Sequence, residues 1–315
     1  AVYAVPWHAA RVLRVDTLTS AVELIGPDCG RGRGLWRTGV SGLDGKLYCP
    51  PSGAARVLRL DPSGGGQVDL FGPDLGAGGD KWRAVVRAEN GDVYAAPWGG
   101  ARVLRIEPDA GRVTPVGPDL SGEGEEKWKA IAVARDGSAY CPPFCASKVL
   151  RIGLDGGGEA GVELVGGDLC YGGHKWCGAV RGDDGSVYAT PWLASKVLRI
   201  DPDLAQAWEL VGQDHGPGGG KWRGGFEGLD CDHFLLPWCA QSVLRLGAGE
   251  GFPVASPLEV LKPRLGQVRE KWACGAASID TSFYCPPFSA GQVLHITYLE
   301  PSTGRVPGQA AGSKK

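Results

Sequence analysis

Short runs of alternating apolar and polar residues recur along the whole chain, each bounded by Gly, Pro, Asp or Asn. A period of two puts alternate side chains on one face of a strand, and no stretch shows the 3.6-residue apolar period of a helix. Set against one another, the runs form a single repeating unit. Trp36, Trp82, Trp128, Trp176, Trp222 and Trp272 are spaced by 46, 46, 48, 46 and 50 residues, and the last five follow Lys81, Lys127, Lys175, Lys221 and Lys271. An aromatic recurs at Tyr3, Tyr48, Tyr94, Tyr140, Tyr188, Phe234 and Tyr284, each with a proline three residues on. A Val-Leu pair follows, starting at Val12, Val57, Val103, Val149, Val197, Val243 and Val293.

Each unit reads as four strands, which in one copy are Lys81–Arg87, Asp92–Pro97, Arg102–Ile106 and Val113–Val116. Asp44-Gly45, Asn90-Gly91, Asp136-Gly137 and Asp184-Gly185 fall between first and second strands, where a two-residue hairpin turn needs positive φ. A turn from Pro108 to Gly111 leads into the fourth strand, and a loop of Gly, Pro and Asp crosses to the next unit. Four-stranded antiparallel units of about 40–50 residues, repeated radially, make a β-propeller, whereas solenoid repeats are shorter or contain helices. The prediction is an all-β chain with a single β-propeller domain over residues 1–306 and a flexible tail at 307–315. Blades start near residues 36, 82, 128, 176, 222 and 272, and the first blade lacks its inner strand because the chain opens on a second strand. Seven copies of the second and third strands favour seven four-stranded blades. Six blades closed by the Trp272 strand are the alternative.

The Asp-Gly hairpin ahead of a Tyr strand resembles the format of NHL and SMP-30-like propellers. The Lys-Trp and Val-Leu-x-Ile-Asp-Pro elements more nearly resemble a group of repeat proteins of algae and other protists, across nearly the whole chain. That resemblance implies the propeller fold and carries no assigned biochemistry.

Composition narrows the picture. Fifty-two glycines and 23 prolines would fit disorder, but 11 tryptophans and abundant Val and Leu fit many short strands joined by tight turns. A net charge of −2 leaves no footprint for nucleic acid or anionic lipid. No apolar run approaches the roughly 20 residues of a membrane span, so no membrane insertion is expected. The chain begins at Ala1 and contains no Met, which reads as a processed form or a fragment. Its ten cysteines form no CxxC pair, and Cys49, Cys141 and Cys285 stand where Ala4, Ala95 and Ala189 stand in other units. Interchange with Ala marks small buried hydrophobes, so mostly free thiols and a reducing compartment are expected.

Residues present in every unit are first of all packing residues. The recurring Trp is expected to fill the wedge between blades, and Arg14, Arg59, Arg105, Arg151, Arg199 and Arg245 to form salt bridges within or between blades. Asp28, Asp74, Asp119, Asp168 and Asp214 lie in the crossing loops and, with Lys81, Lys127, Lys175, Lys221 and Lys271, are placed near one rim of the ring. There the aspartates either cap their own turns or, with the lysines and indoles, form a polar rim for a small polar ligand or a peptide loop. A second aromatic series, Trp7, Trp98, Phe144, Trp192, Trp238 and Phe288, follows the prolines. Inter-blade packing explains it; alternatively Trp7, Trp98, Trp192 and Trp238 serve a repeat lectin as glycan contacts. The five histidines share no repeat position and no metal-ligand spacing, although His174 and His215 fall in neighbouring crossing loops. No nucleophile elbow, P-loop or Rossmann glycine pattern is present, and neither a metal nor a cofactor is expected. The leading expectation is therefore a non-enzymatic interaction module that binds a protein partner or serves as a peripheral subunit, with the Pro-rich departure Gly247–Arg269 as its contact surface. The rival to both module and lectin is a hydrolase or lyase with its site at the channel mouth.

Overall fold

The computed structural model describes residues 1–30, 32, 34–155, 161–169, 172–216, 218–227, 233–246, 258–261, 269–272, 276–277 and 283–296. They contain 26 strands, two short 3-10 turns and no α-helix. The strands form seven antiparallel sheets, each a meander in chain order. Sheet one is Val2–Ala4, Val12–Val15 and Val22–Ile25, and sheet two is Val40–Ser41, Leu47–Cys49, Val57–Asp61 and Gln67–Phe71. Sheet three is Trp82–Arg87, Val93–Pro97, Val103–Glu107 and Arg112–Val116; sheet four is Ala132–Val133, Ala139–Cys141, Val149–Ile152 and Val162–Val165. Sheet five is Trp176–Arg181, Val187–Pro191, Val197–Ile200 and Trp208–Val211. Sheet six is Trp222–Glu227, His233–Pro237, Val243–Leu246 and Leu258–Leu261, and sheet seven is Ala276–Ala277, Phe283–Cys285 and Leu294–Ile296. The chain divides into two compact units, 1–219 with sheets one to five and 220–315 with sheets six and seven. Most of the segment 247–269 and the whole tail at 307–315 lie outside the described residues.

Neighbouring sheets within the first unit stack through both faces of their middle strands. Tyr48, Val57 and Phe71 of sheet two share a core cluster with Trp82, Val93, Leu104 and Ile106 of sheet three. Leu58, on the opposite face from Val57, packs instead with Val12 of sheet one. The repeated Val-Leu pair is apolar at both positions for this reason: consecutive residues of a strand point to opposite faces, and each face meets a different sheet. Glycine after the fourth strand has an equally specific cause. Gly72 and Gly117 lie at φ 79° and 81°, and a Cβ there would come within 2.5 Å of Val113 and 2.6 Å of Val162 on the next sheet.

The recurring Trp does more than fill space. In every copy its indole Nε1 donates to the carbonyl 20 residues on, from Trp36 to Arg56, Trp82 to Arg102, Trp128 to Lys148, Trp176 to Lys196, Trp222 to Ser242 and Trp272 to Gln292, at 2.9–3.1 Å. The accepting carbonyl directly precedes the Val-Leu pair, so one side chain ties the start of its unit to the third strand. Burying an indole removes roughly 200 Å² from water, about 5 kcal/mol at roughly 25 cal/mol/Å². The Trp itself often stands outside the ladder. Pairing slips just beyond Trp82 and Trp176, and Trp36, Trp128 and Trp272 make only isolated bridges to Pro51, Pro143 and Pro287. The extra residue of such a bulge bends the strand at its start.

The hairpins differ from the two-residue turns expected. Gly45, Gly91, Gly137 and Gly185 have φ of 74–91°, while the Asp or Asn before each does not. A type I′ turn needs positive φ at both central residues. Instead the Gly45 amide donates to the Gly42 carbonyl, and the Gly42 amide to the Lys46 carbonyl, which makes a three-residue loop closed by a left-handed glycine. The aspartate is thereby freed to bond its own hairpin. Asp136 Oδ1 accepts from the Ser138 amide at 3.0 Å and Oδ2 from the Tyr140 hydroxyl at 3.0 Å, and Asp44 and Asp184 hold Tyr48 and Tyr188 likewise.

The third-strand arginines form the expected salt bridges, mostly across one strand pair. Arg59 opposes Asp69, Arg151 opposes Glu163 and Arg199 opposes Glu209, each directly across the ladder and ion-paired. Seven of the ten cysteines are described, and all seven are free thiols, with Cys49, Cys141 and Cys285 buried. Burial alone pushes the Cys49 thiol up to about 12. Cys170, Cys231 and Cys274 lie outside the described residues.

Candidate ligand site on the Lys-Trp face

The repeated lysines point into their own structure. Lys127 and Lys175 are 1% exposed and Lys271 is fully buried. An ammonium offers three donors, and Lys81 uses all three, on the carbonyls of Ala54 at 2.9 Å, Gly76 at 2.9 Å and Gly78 at 3.0 Å. Lys175 donates to Ala146 and Gly172, Lys127 to Gly124, and Lys271 to Ala240. Lys221 is buried as well. Loss of hydration pushes the ammonium pKa of Lys81, Lys127 and Lys271 down. Each lysine of sheets three to five thus anchors the loop that leads into it.

The crossing-loop aspartates sit on those loops, exposed. Asp28, Asp74, Asp119 and Asp214 each accept the amide two residues on, from Gly30, Gly76, Ser121 and Gly216, at 2.7–2.8 Å. Asp168 pairs with Lys148 at 3.7 Å. Within the first unit, main-chain bonds then join the lysines to the post-proline aromatics. The Lys127 amide donates to the Trp98 carbonyl, the Phe144 amide to Lys127, the Lys175 amide to Phe144 and the Trp192 amide to Lys175, at 2.8–3.0 Å.

The aromatic series is uneven in exposure. Trp98, Phe144 and Trp238 are buried, Trp7 and Trp192 half-buried, and Phe288 is 65% exposed. Trp98 packs on Phe144 at 5.2 Å between centroids. A basic residue directly after the repeat Trp covers the rings: Arg37 over Trp7, Arg83 over Trp98, Arg223 over Trp238, and Lys129 over both Phe144 at 4.8 Å and Trp192 at 5.1 Å.

Between sheets four and five this framework brings together three side chains that the sequence did not single out as a group. Glu126 and His174 stand immediately before Lys127 and Lys175. Gly34 and Gly220 occupy the same repeat position, and all four have left-handed backbones, with φ 54° at Glu126 and 60° at His174. A non-glycine residue held there costs on the order of 1 kcal/mol. Cys145 follows Phe144, and its amide donates to the Glu126 carbonyl at 3.1 Å. His174 Nε2 lies 2.9 Å from Glu126 Oε2, and Cys145 Sγ lies 4.0 Å from the same oxygen. All three ligand-type atoms fall within 4.8 Å of one another. The imidazole stacks on Phe144 at 4.8 Å and 26°. Glu126 and His174 keep 44% and 48% of their side chains exposed, so a ligand can reach them. A carboxylate bonded to an imidazole beside a thiol can pass a proton or hold a borderline metal ion. The sequence offers only a weak positional signal: this repeat position is titratable in four of six copies, at Asp80, Glu126, His174 and Glu270, and glycine in the other two. His215 Nδ1 lies 3.5 Å from Gln213 Nε2.

A meander repeated in seven sheets defines the class: this is a β-propeller protein. It is similar to a streptogramin B lyase at TM-score 0.60 and 14% identity, covering 90% of this chain and 86% of that one. A periplasmic gluconolactonase of Pseudomonas aeruginosa matches at TM-score 0.53 and 15% identity over 91% of both chains. A putative 6-phosphogluconolactonase of Bacteroides uniformis matches at TM-score 0.56 and 13% identity, over 92% of this chain and 88% of that one. No protein-family model and no curated protein matches the sequence. Among the described residues no helix is long and apolar enough to cross a membrane.

Proposed function

We propose that this chain is a propeller enzyme of the hydrolase or lyase class, with its reacting centre at Glu126, Cys145 and His174 on the Lys-Trp face. The observation that carries the reading is the convergence of carboxylate, thiol and imidazole within 4.8 Å on an accessible surface. The salt bridges elsewhere pair arginine with acid across strands and call for neither thiol nor imidazole. In this reading Lys127 and Lys175 hold the site's loops, the crossing-loop aspartates shape their turns, and Trp192 with Lys129 borders the ligand. The lyase and gluconolactonase named above are distant enough that they contribute the fold and no substrate. Kinship with the Lys-Trp repeat proteins of algae and protists belongs to the same proposal and adds no substrate either.

The test is an assay of the wild-type chain, Glu126→Gln and His174→Gln on a panel of lactones and activated esters. Turnover by the wild type is expected to fall about 100-fold or more in each variant, the usual contribution of positioned acid–base groups. Equal rates in all three proteins, or no turnover in any, overturn the reading. What then stands is the non-enzymatic module that binds a protein partner.

A further inference from the structure

The geometry points to a metal site: we infer that Glu126, Cys145 and His174 are three ligands for a zinc-class divalent ion. The inference deepens the proposed function, and its chemical use rests on that reading, although binding of the ion does not. Three observations converge on it. The donor set is one carboxylate oxygen, one sulfur and one imidazole nitrogen, the mixture that suits zinc. Ligand atoms around one tetrahedral zinc lie about 3.2–3.8 Å apart, given Zn–S of about 2.3 Å and Zn–N of about 2.0–2.1 Å. The present separations run from 2.9 Å for oxygen to nitrogen up to no more than 4.8 Å, so side-chain adjustments suffice to reach that geometry.

The loops that carry the donors are also fixed in advance. Lys127 ties down Gly124 ahead of Glu126, and Lys175 ties down Gly172 ahead of His174. The His174 carbonyl accepts from the Leu193 amide at 3.0 Å, and the Glu126 carbonyl from the Cys145 amide. The loop ahead of His174 also passes close to the sulfur, since a Cβ on Gly173 would lie 3.3 Å from Cys145 Sγ. Such a site is held ready rather than assembled by the ion, and metal affinity rewards that preorganisation.

Binding has a definite proton balance. The thiol of Cys145 releases its proton to solvent as the metal–sulfur bond forms, and His174 binds through Nε2 as the neutral imidazole with its proton on Nδ1. Two anionic ligands neutralise the ion. With three protein ligands and an exposed face, the fourth position stays open to water or substrate, the arrangement of catalytic rather than structural zinc. A metal there would supply Lewis acidity and a bound water of lowered pKa.

The experiment titrates the reduced full-length chain with zinc against a chromophoric chelator, and with cobalt as the spectroscopic probe. Cys145→Ser is expected to lose one metal equivalent and the thiolate-to-cobalt charge-transfer band, with an unchanged melting curve in the metal-free state. Glu126→Gln and His174→Ala are expected to weaken binding by about tenfold or more. Identical stoichiometry and identical cobalt spectra for wild type and Cys145→Ser overturn the site, whichever of the other cysteines then binds. The two proposals fail separately. Metal binding without turnover sinks the enzyme and leaves the site. Turnover that survives chelation but is lost in Glu126→Gln sinks the site and leaves the enzyme.

Discussion

Replacing Lys175 by methionine removes an ammonium and keeps most of the stem that packs beneath it. Lys175 is 1% exposed and donates to the carbonyls of Ala146 at 2.9 Å and Gly172 at 3.0 Å. A hydrogen bond to a charged group contributes about 1.5–3 kcal/mol, so two amount to roughly 3–6 kcal/mol. Against this stands the relief of no longer burying an ammonium, which offsets part of the loss. A net destabilisation of about 2–4 kcal/mol results, because both carbonyls are left without this donor where water reaches them poorly. At about 2–3 °C per kcal/mol for a large domain, the melting transition that reports residues 1–219 should fall by roughly 5–10 °C. Differential scanning calorimetry measures it, with Lys46→Met as the control. Lys46 keeps 32% of its side chain exposed and only approaches Asp44 at 3.7 Å, so its change should stay within about 0.5 kcal/mol. A Lys175→Met transition within about 1 °C of wild type would refute the idea that these lysines serve as internal loop anchors.

Trp128→Phe should cost about 2–4 kcal/mol in urea unfolding, since it shrinks a fully buried side chain and removes the 3.0 Å bond to the Lys148 carbonyl; a loss under about 1 kcal/mol would show that the indole N–H contributes little. Gly137→Ala and Gly117→Ala share a positive φ, near 77° and 81°, but only a Cβ at 117 meets a neighbour, Val162 at 2.6 Å, while one at 137 meets open space. The first should cost about 1 kcal/mol and the second about 1–3 kcal/mol more; equal losses would mean that the sheets do not approach as described. Burial first, and the facing Asp44, Asp136 and Asp184 second, push the hydroxyls of Tyr48, Tyr140 and Tyr188 up to about 12. The folded state therefore keeps protons that the unfolded chain releases near pH 10, so this contribution to stability is fully present below pH 10 and is lost as pH rises from about 10 to 12. Part of the phenolate absorbance should rise only near pH 12, and complete ionisation well below that would contradict the buried hairpin tyrosines.

Most of the fold was legible because it rests on local pattern. The 46-residue spacing of Trp36, Trp82 and Trp128, the alternation of the third strand and the Asp-Gly turns each act over a few residues, and the four strands expected over 81–116 fall within a residue of their bounds. The first strands of sheets two, four and seven begin four residues after the expected 36, 128 and 272. The turn type was less legible. An Asp-Gly pair admits both a two-residue and a three-residue loop, and Tyr140 bonding Asp136 selects the one with a negative φ at the aspartate. The lysines read as part of a polar rim, and their burial on loop carbonyls was not legible, since sequence shows a charge and not the carbonyls that surround it.

What the sequence determined by itself is the repeat and the sheets it makes, because period and turn chemistry are properties of neighbouring residues. What only the tertiary structure decided is which side chains meet between sheets. Glu126, Cys145 and His174 are 19 and 29 residues apart, from two crossing loops and the bend between the second and third strands of sheet four, with no spacing that marks them as partners. They converge because sheets four and five stack face to face through Tyr140, Val149, Trp176 and Val187, and because buried lysines hold the two loops against that stack. Long-range packing sets that distance, and a one-dimensional pattern does not carry it.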